Sequence, residues 1–240
     1  MIIDAATDYD DLSRRAAAVV VAQLRTKPDS LLVLPTGATP LGLFGALVAA
    51  AKAGDVDPSR ARFATLDDYR SIAANDPRRL LSWLRRELLD PLGVGEDRII
   101  AFDPEGDPES EPARVEAAIA EAGGIDFAIV GLGPNGHLGF NEPGSRFDSR
   151  SRRVVLTPAS IRSNAAYWGS EDVVPREGFT LGLGTLMEAR HLVLIASGAR
   201  KREILDAALH GPVSEAVPAT LIRRHPAATV IADRAALGRD

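Results

Sequence analysis

No cysteine occurs in the 240 residues, which excludes disulfides, thiolate metal sites, iron–sulfur clusters and a cysteine nucleophile. Histidine is scarce: His137, His191, His210 and His225 are scattered and show no ligand spacing such as His-x-x-x-His, so no metal and no other cofactor is expected. Long apolar runs are missing as well, none approaching the ~20 residues that cross a bilayer. The start, Met1-Ile2-Ile3-Asp4, leads into acidic residues up to Asp11 and lacks the basic stretch that opens a secretion signal. Cytoplasmic residence away from membranes is therefore expected. Among 28 basic residues 25 are arginine, and lysine occurs only as Lys27, Lys52 and Lys201. With 33 acidic residues the net charge is −5, which offers nucleic acid no broad electrostatic footprint but leaves room for a local pocket holding a small anion.

What is present is an ordinary globular balance, 45% hydrophobic and 25% charged, in which short apolar runs alternate with helical patterns. Strands are predicted at Leu31–Leu34, Arg62–Leu66, Arg98–Phe102, Ile125–Val130, His191–Ala196 and Thr229–Ala232. Helices are predicted over residues 10–26, Pro40–Lys52, Pro77–Leu89, Glu111–Ala122 and Ala199–Leu209. This alternation predicts a doubly wound, mostly parallel α/β sheet with helices on both faces. Residues 1–240 read as one domain. Residues 144–177, polar, arginine-rich and without a clear period, read as an insertion over one edge of the sheet that could serve as a lid.

Ligands of such sheets bind past the carboxyl ends of the strands, and four turns there carry chemistry. Pro35-Thr36-Gly37-Ala38-Thr39-Pro40 combines glycine and two hydroxyls ahead of a helix, which suits an anion, or reduces to a plain turn capped by Thr39. Asp67-Asp68-Tyr69 offers carboxylates for general base work, or a solvated acidic turn. Gly131-Leu132-Gly133-Pro134-Asn135-Gly136-His137-Leu138-Gly139-Phe140-Asn141-Glu142-Pro143 packs glycines around His137, with Asn135 and Glu142 near enough to orient the ring for proton transfer. Ser197-Gly198-Ala199-Arg200-Lys201 places one of the few lysines at a strand-to-helix junction, where a point charge is useful. Together they suit proton transfer on a phosphorylated small molecule.

The first three of these segments, with Ser149-Arg150-Ser151-Arg152, Ile161-Arg162-Ser163-Asn164, Gly182–Ala189, Ala196-Ser197-Gly198, Gly211-Pro212-Val213 and Val217-Pro218-Ala219, resemble the glucosamine-6-phosphate deaminase (isomerase) family in the right order along nearly the whole chain. The resemblance implies a Rossmann-like fold and conversion of glucosamine 6-phosphate and water to fructose 6-phosphate and ammonia. It implies that Asp67 is the base at C2, that His137 opens the sugar ring, and that Glu142 and Asn135 tune the histidine. Phosphate would lie on Thr36, Gly37, Ala38 and Thr39, helped by Arg162 and Lys201. The partner implied is a sugar phosphate, and the assembly a monomer or small homo-oligomer. Asn135 stands where many members carry Asp, and where a Ser-Tyr pair follows His-Pro or Asp-Pro in the family, this chain reads Asp76-Pro77-Arg78-Arg79-Leu80-Leu81-Ser82-Trp83. Val154-Val155 replaces the basic and hydroxyl residues of allosteric members, so no activation by N-acetylglucosamine 6-phosphate is expected.

Two other classes share the fold. A 6-phosphogluconolactonase usually follows its Gly-His with Ser-Leu-Phe-Pro rather than Phe140-Asn141-Glu142-Pro143. A non-catalytic sugar-phosphate sensor usually carries an N-terminal helix-turn-helix domain, whereas about thirty residues precede the strand at Leu31.

Overall fold

Strands made of unbroken apolar residues need cover on both faces, and that need shapes the molecule. The computed structural model describes residues 1–239. Its strands are β1 (Ile2–Ala6), β2 (Leu31–Leu34), β3 (Arg62–Thr65), β4 (Asp67–Tyr69), β5 (Ile99–Ile100), β6 (Phe127–Gly131), β7 (Arg152–Val155), β8 (Glu177–Thr180), β9 (His191–Ala196) and β10 (Ala228–Asp233). The helices are α1 (Tyr9–Thr26), α2 (Leu41–Lys52), α3 (Leu80–Leu84), α4 (Glu111–Glu121), α5 (Pro158–Trp168), α6 (Leu183–Met187), α7 (Arg202–His210) and α8 (Arg234–Leu237). Seven strands form a parallel sheet in the order β1-β10-β9-β6-β2-β3-β5.

Side chains alternate across a strand, so each strand feeds two cores. On one face Leu31, Val33, Ala128, Val130 and Leu194 meet Val115 and Ile119 of α4 and Leu205 and Ala208 of α7. On the other, Leu32, Leu34, Phe127, Ile129 and Ile195 meet Leu12, Val20 and Leu24 of α1 and Leu43, Phe44 and Leu47 of α2. The expected doubly wound parallel α/β sheet is therefore the observed one. From β2 the chain builds outward through β3 to β5, then returns to β6 on the other side of β2 and builds outward through β9 to β10. The neighbours β2 and β6 mark the reversal of strand order, where the crossovers diverge and leave a crevice.

Four features were not expected from the sequence. The edge strand β1 pairs with β10 along Ile2–Ala6, yet Ile2 is 66% exposed, so no apolar alternation announces it. A second, antiparallel sheet of β4, β8 and β7 stands beside the first, and Asp67–Tyr69, expected as a turn, is its first strand. Within 144–177, α5 starts at a Thr157 cap whose hydroxyl accepts the Ser160 N–H at 3.2 Å, with Pro158 in the first turn. Its inner face closes a third apolar cluster of Tyr69, Phe140, Leu156, Ile161, Trp168 and Val174. The helix expected from Pro77 begins only at Leu80, because Arg79 is extended (φ −54°, ψ 146°), and it ends in a π-helical turn over Arg85–Leu89.

Among the described residues no helix is long and apolar enough to cross a membrane. Ile129 lies at the centre of the sheet with no exposure. Truncating it to alanine should cost about 2–5 kcal/mol of folding stability; urea unfolding should show a lower midpoint at unchanged slope.

Candidate active site

The crevice at the strand reversal is a cavity of about 450 Å³. Its floor is the ends of β2, β3 and β6, with Lys201 reaching in from beyond β9, and its outer walls come from residues 77–86 and from α5.

The first side of the floor is the run Pro35–Pro40 after β2, all of it facing the cavity. Gly37 holds a left-handed φ of 103°, which turns the chain back toward the helix that follows. Pro40 occupies the cap position of α2 with no side-chain cap bond. Thr39 is therefore not spent as a cap, and its hydroxyl stays available to a ligand.

Asp67 opens β4 directly after β3. It is buried, faces the cavity, and has no hydrogen-bond donor on its carboxylate among the described residues. Burial, reinforced by the neighbouring Asp68 charge, pushes its pKa up to about 8. Asp68 points the other way, as alternation along a strand dictates. It is fully buried and accepts from Arg79 Nε at 2.9 Å, from its neighbour Tyr69 N–H at 2.9 Å and from Leu80 N–H at 3.0 Å. Burial still raises its pKa, with Arg79 opposing. The pair of carboxylates thus divides into one group open to the cavity and one locked in an ion pair.

The glycine-rich loop after β6 carries His137. Gly133 N–H donates to the His137 carbonyl at 3.0 Å, and the Asn135 amide oxygen accepts the His137 N–H at 3.2 Å. A side chain at Gly133 would place a Cβ 2.1 Å from the His137 ring, and Gly136 has φ 85°; both positions require glycine. Nδ1 of His137 is buried and faces Glu142 Oε2 at 3.5 Å. Asn135 Nδ2 donates to that same oxygen at 2.7 Å, and the Ser160 hydroxyl donates to Glu142 Oε1. Against the cost of burial, His137, Ser160 and Asn135 hold the Glu142 pKa to about 2. The carboxylate is thus anionic and faces the ring nitrogen, an arrangement that favours a proton on Nδ1 and leaves Nε2 to face a ligand.

Lys201 lines the cavity, its Nζ donating to the Leu132 carbonyl at 2.6 Å, and burial lowers its pKa. Arg162 does not join it. Ser160, Ser163, Asn164 and Tyr167, spaced i, i+3, i+4 and i+7, form the cavity face of α5, and Arg162 falls outside that stripe, exposed. The arginines that do line the cavity are Arg78 and Arg86. Arg78 lies 4.4 Å from the Trp168 ring centroid and is held by Asp76 at 2.7 Å, so the two outer walls touch. Sequence reading missed Arg78, Arg86, Ser160 and Trp168. Residues 144–177 carry no clear period, so neither the helix at 158–168 nor the face it turns to the cavity could be read from them. Among the described residues no three His, Asp or Glu side chains converge as a metal-ligand set.

A doubly wound α/β protein with titratable side chains gathered at its strand reversal, beside a glycine turn that leads into a helix, is the class that fold and site define. The sequence model of one family, glucosamine-6-phosphate isomerases/6-phosphogluconolactonase, matches residues 4–231, and the chain belongs to that family. It is 43% identical over 234 residues to a glucosamine-6-phosphate deaminase of Streptomyces avermitilis, covering 94% of this chain and 89% of that one. It is 39% identical to one of Rhodopirellula baltica, covering 98% and 94%. Among solved structures, a monomeric glucosamine-6-phosphate deaminase superposes with a TM-score of 0.96 at 30% identity, covering both chains fully. A 6-phosphogluconolactonase from Trypanosoma cruzi, with a TM-score of 0.79 at 20% identity over 99% and 96% of the two chains, shares the fold.

Two expectations follow from this geometry. Gly133→Ala should displace the His137 ring and lower turnover roughly 100-fold, with a melting temperature that shows the fold is kept. Asp67, with a pKa raised from 3.8 to about 8 on folding, stays protonated in the native state while the unfolded chain ionises. Stability contributed by this group is therefore full below pH ~4 and is lost as pH rises toward 8. Thermal melts should show Asp67→Asn gaining on the wild type as pH rises from 5 to 8.

Proposed function

We propose that this protein is a glucosamine-6-phosphate deaminase that converts glucosamine 6-phosphate and water to fructose 6-phosphate and ammonia. The observation that carries the reading is that one cavity holds both a buried, unpartnered carboxyl, Asp67, and a histidine faced by a carboxylate, His137 with Glu142. The names of the Streptomyces and Rhodopirellula relatives support it.

The chemistry follows from the substrate. A closed amino-sugar ring has no acidic C–H bond, so the ring must open first. His137 moves a proton from the anomeric hydroxyl to the ring oxygen through Nε2, while Glu142 and Asn135 hold the ring and its tautomer. The aldehyde so formed acidifies C2–H. Asp67 takes that proton, leaving an enolamine, and returns it to C1. Nitrogen then sits as an imine on C2, water adds there, and ammonia leaves. The phosphate rests on Thr36, Gly37, Ala38 and Thr39 at the start of α2. Lys201 and Arg86 supply the positive charge, the place the resemblance gave to Arg162 passing to a residue that lines the cavity. Lactone hydrolysis, named for other members of the family, involves no C–H proton transfer and leaves Asp67 without work.

The test is ammonia release from glucosamine 6-phosphate. Wild type should release ammonia, and Asp67→Asn should lower kcat about 10²–10⁴-fold, the range for a lost general base. Absence of ammonia from every hexosamine 6-phosphate, or hydrolysis of 6-phosphogluconolactone instead, overturns the reading.

A further inference from the structure

The Glu142 carboxylate draws its contacts from two separate parts of the chain. On Oε2 it meets Asn135 and His137, both from its own loop. On Oε1 it accepts the hydroxyl of Ser160, which belongs to the first turn of α5, the helix whose next two turns wall the cavity with Ser163, Asn164 and Tyr167. Ser160 is 4% exposed, and its hydroxyl passes over the backbone acceptors of its own helix to reach a carboxylate eighteen residues away in sequence. No other side chain of α5 makes a hydrogen bond to the 131–142 loop among the described residues.

The path from α5 to the ring is therefore short and continuous: Ser160 Oγ to Glu142 Oε1, through the carboxylate to Oε2, and on to His137 Nδ1. A carboxylate that has lost a donor on one oxygen is free to rotate about its last bond, and its other oxygen then no longer faces Nδ1 squarely. We infer that Ser160 is a positioning residue that makes the proton placement on His137 depend on α5 being seated over the cavity. The inference rests on the acid–base reading of His137 given above. The helix that encloses the sugar also completes the orientation of the group that opens its ring, so ring-opening competence is coupled to enclosure. The Ser160 hydroxyl makes its hydrogen bond to Glu142, not to the His137 ring, and acts on the ring through that carboxylate.

Two properties separate this role from plain packing. Loss of helix seating would weaken sugar binding and raise KM, since α5 supplies wall residues. Loss of the hydroxyl alone would lower kcat and leave KM nearly unchanged, and it would shift the Nδ1–H and Nε2–H tautomer populations of His137. The experiment compares wild type, Ser160→Ala and Ser160→Thr by steady-state ammonia release and by ¹⁵N spectra of the histidine ring nitrogens in the ligand-free protein. Ser160→Ala is expected to lower kcat about tenfold with KM within twofold, and to reduce the Nδ1–H population of His137. Ser160→Thr, which keeps the hydroxyl, is expected to restore both to within twofold. The inference is overturned if Ser160→Ala leaves kcat and the ring signals unchanged, if it acts on KM alone, or if Ser160→Thr is as impaired as Ser160→Ala. Should the wild type release no ammonia, the deaminase reading fails, and the ring-nitrogen spectra still decide whether Ser160 positions His137.

Discussion

The ion pair between Asp68 and Arg79 is the interaction on which the site depends. Both side chains are buried, and a buried pair is costly to assemble but far costlier to break, because either partner alone is an uncompensated charge in a low-dielectric interior. Arg79 also donates to the Ala74 and Phe102 carbonyls at 2.8 Å each, tying the loop before α3 to the end of the main sheet. Asp68 serves as the missing cap of α3 by accepting the Leu80 N–H from a neighbouring strand. One salt bridge thus fixes β4, the loop 70–79 and the start of the wall that carries Leu80, Trp83 and Arg86. The same bridge determines what Asp67 becomes. With Arg79 committed to Asp68, the adjacent carboxyl has no cation of its own.

The glycines of the 131–139 loop make the complementary contribution. Where Asp68 and Arg79 hold a wall in place, Gly133 lets the backbone come close enough for the His137 ring to sit against it, and Gly136 makes a left-handed turn against Val217. The loop leaves β6 at the strand reversal, so histidine and carboxyl reach one cavity from adjacent regions of the sheet without either being on a long flexible segment.

Much of this was legible in the residues. Apolar runs such as Leu31–Leu34 and His191–Ala196 announced buried parallel strands, since no other element suits four to six apolar residues between turns. Asp67, His137, Thr36 and Lys201 all line the cavity, with Glu142 behind His137, because position at a strand end is readable once the strands are. What stayed hidden has physical reasons. The strand β1 exposes Ile2 and depends on pairing with β10, more than two hundred residues away. The second sheet joins Asp67–Tyr69 to residues 177–180 and 152–155, a pairing that no local period encodes. Arg162 and Ser160 lie two residues apart, and which of them faces inward is decided by how α5 packs on Tyr69 and Phe140. The part taken by Arg79 was hidden too, because an arginine between Arg78 and Leu80 has no local mark of burial.

The raised pKa of Asp67 bears on how the cavity meets its ligand. At neutral pH the resting carboxyl is uncharged, so on the deaminase reading it adds no repelling anion to the cavity a phosphate would enter. When an ammonium group enters beside it, the cation favours ionisation, and the carboxyl can give up its proton. On the deaminase reading, binding and proton release are then linked. On that reading the burial that costs the folded protein stability also keeps the carboxyl uncharged until a cation arrives beside it.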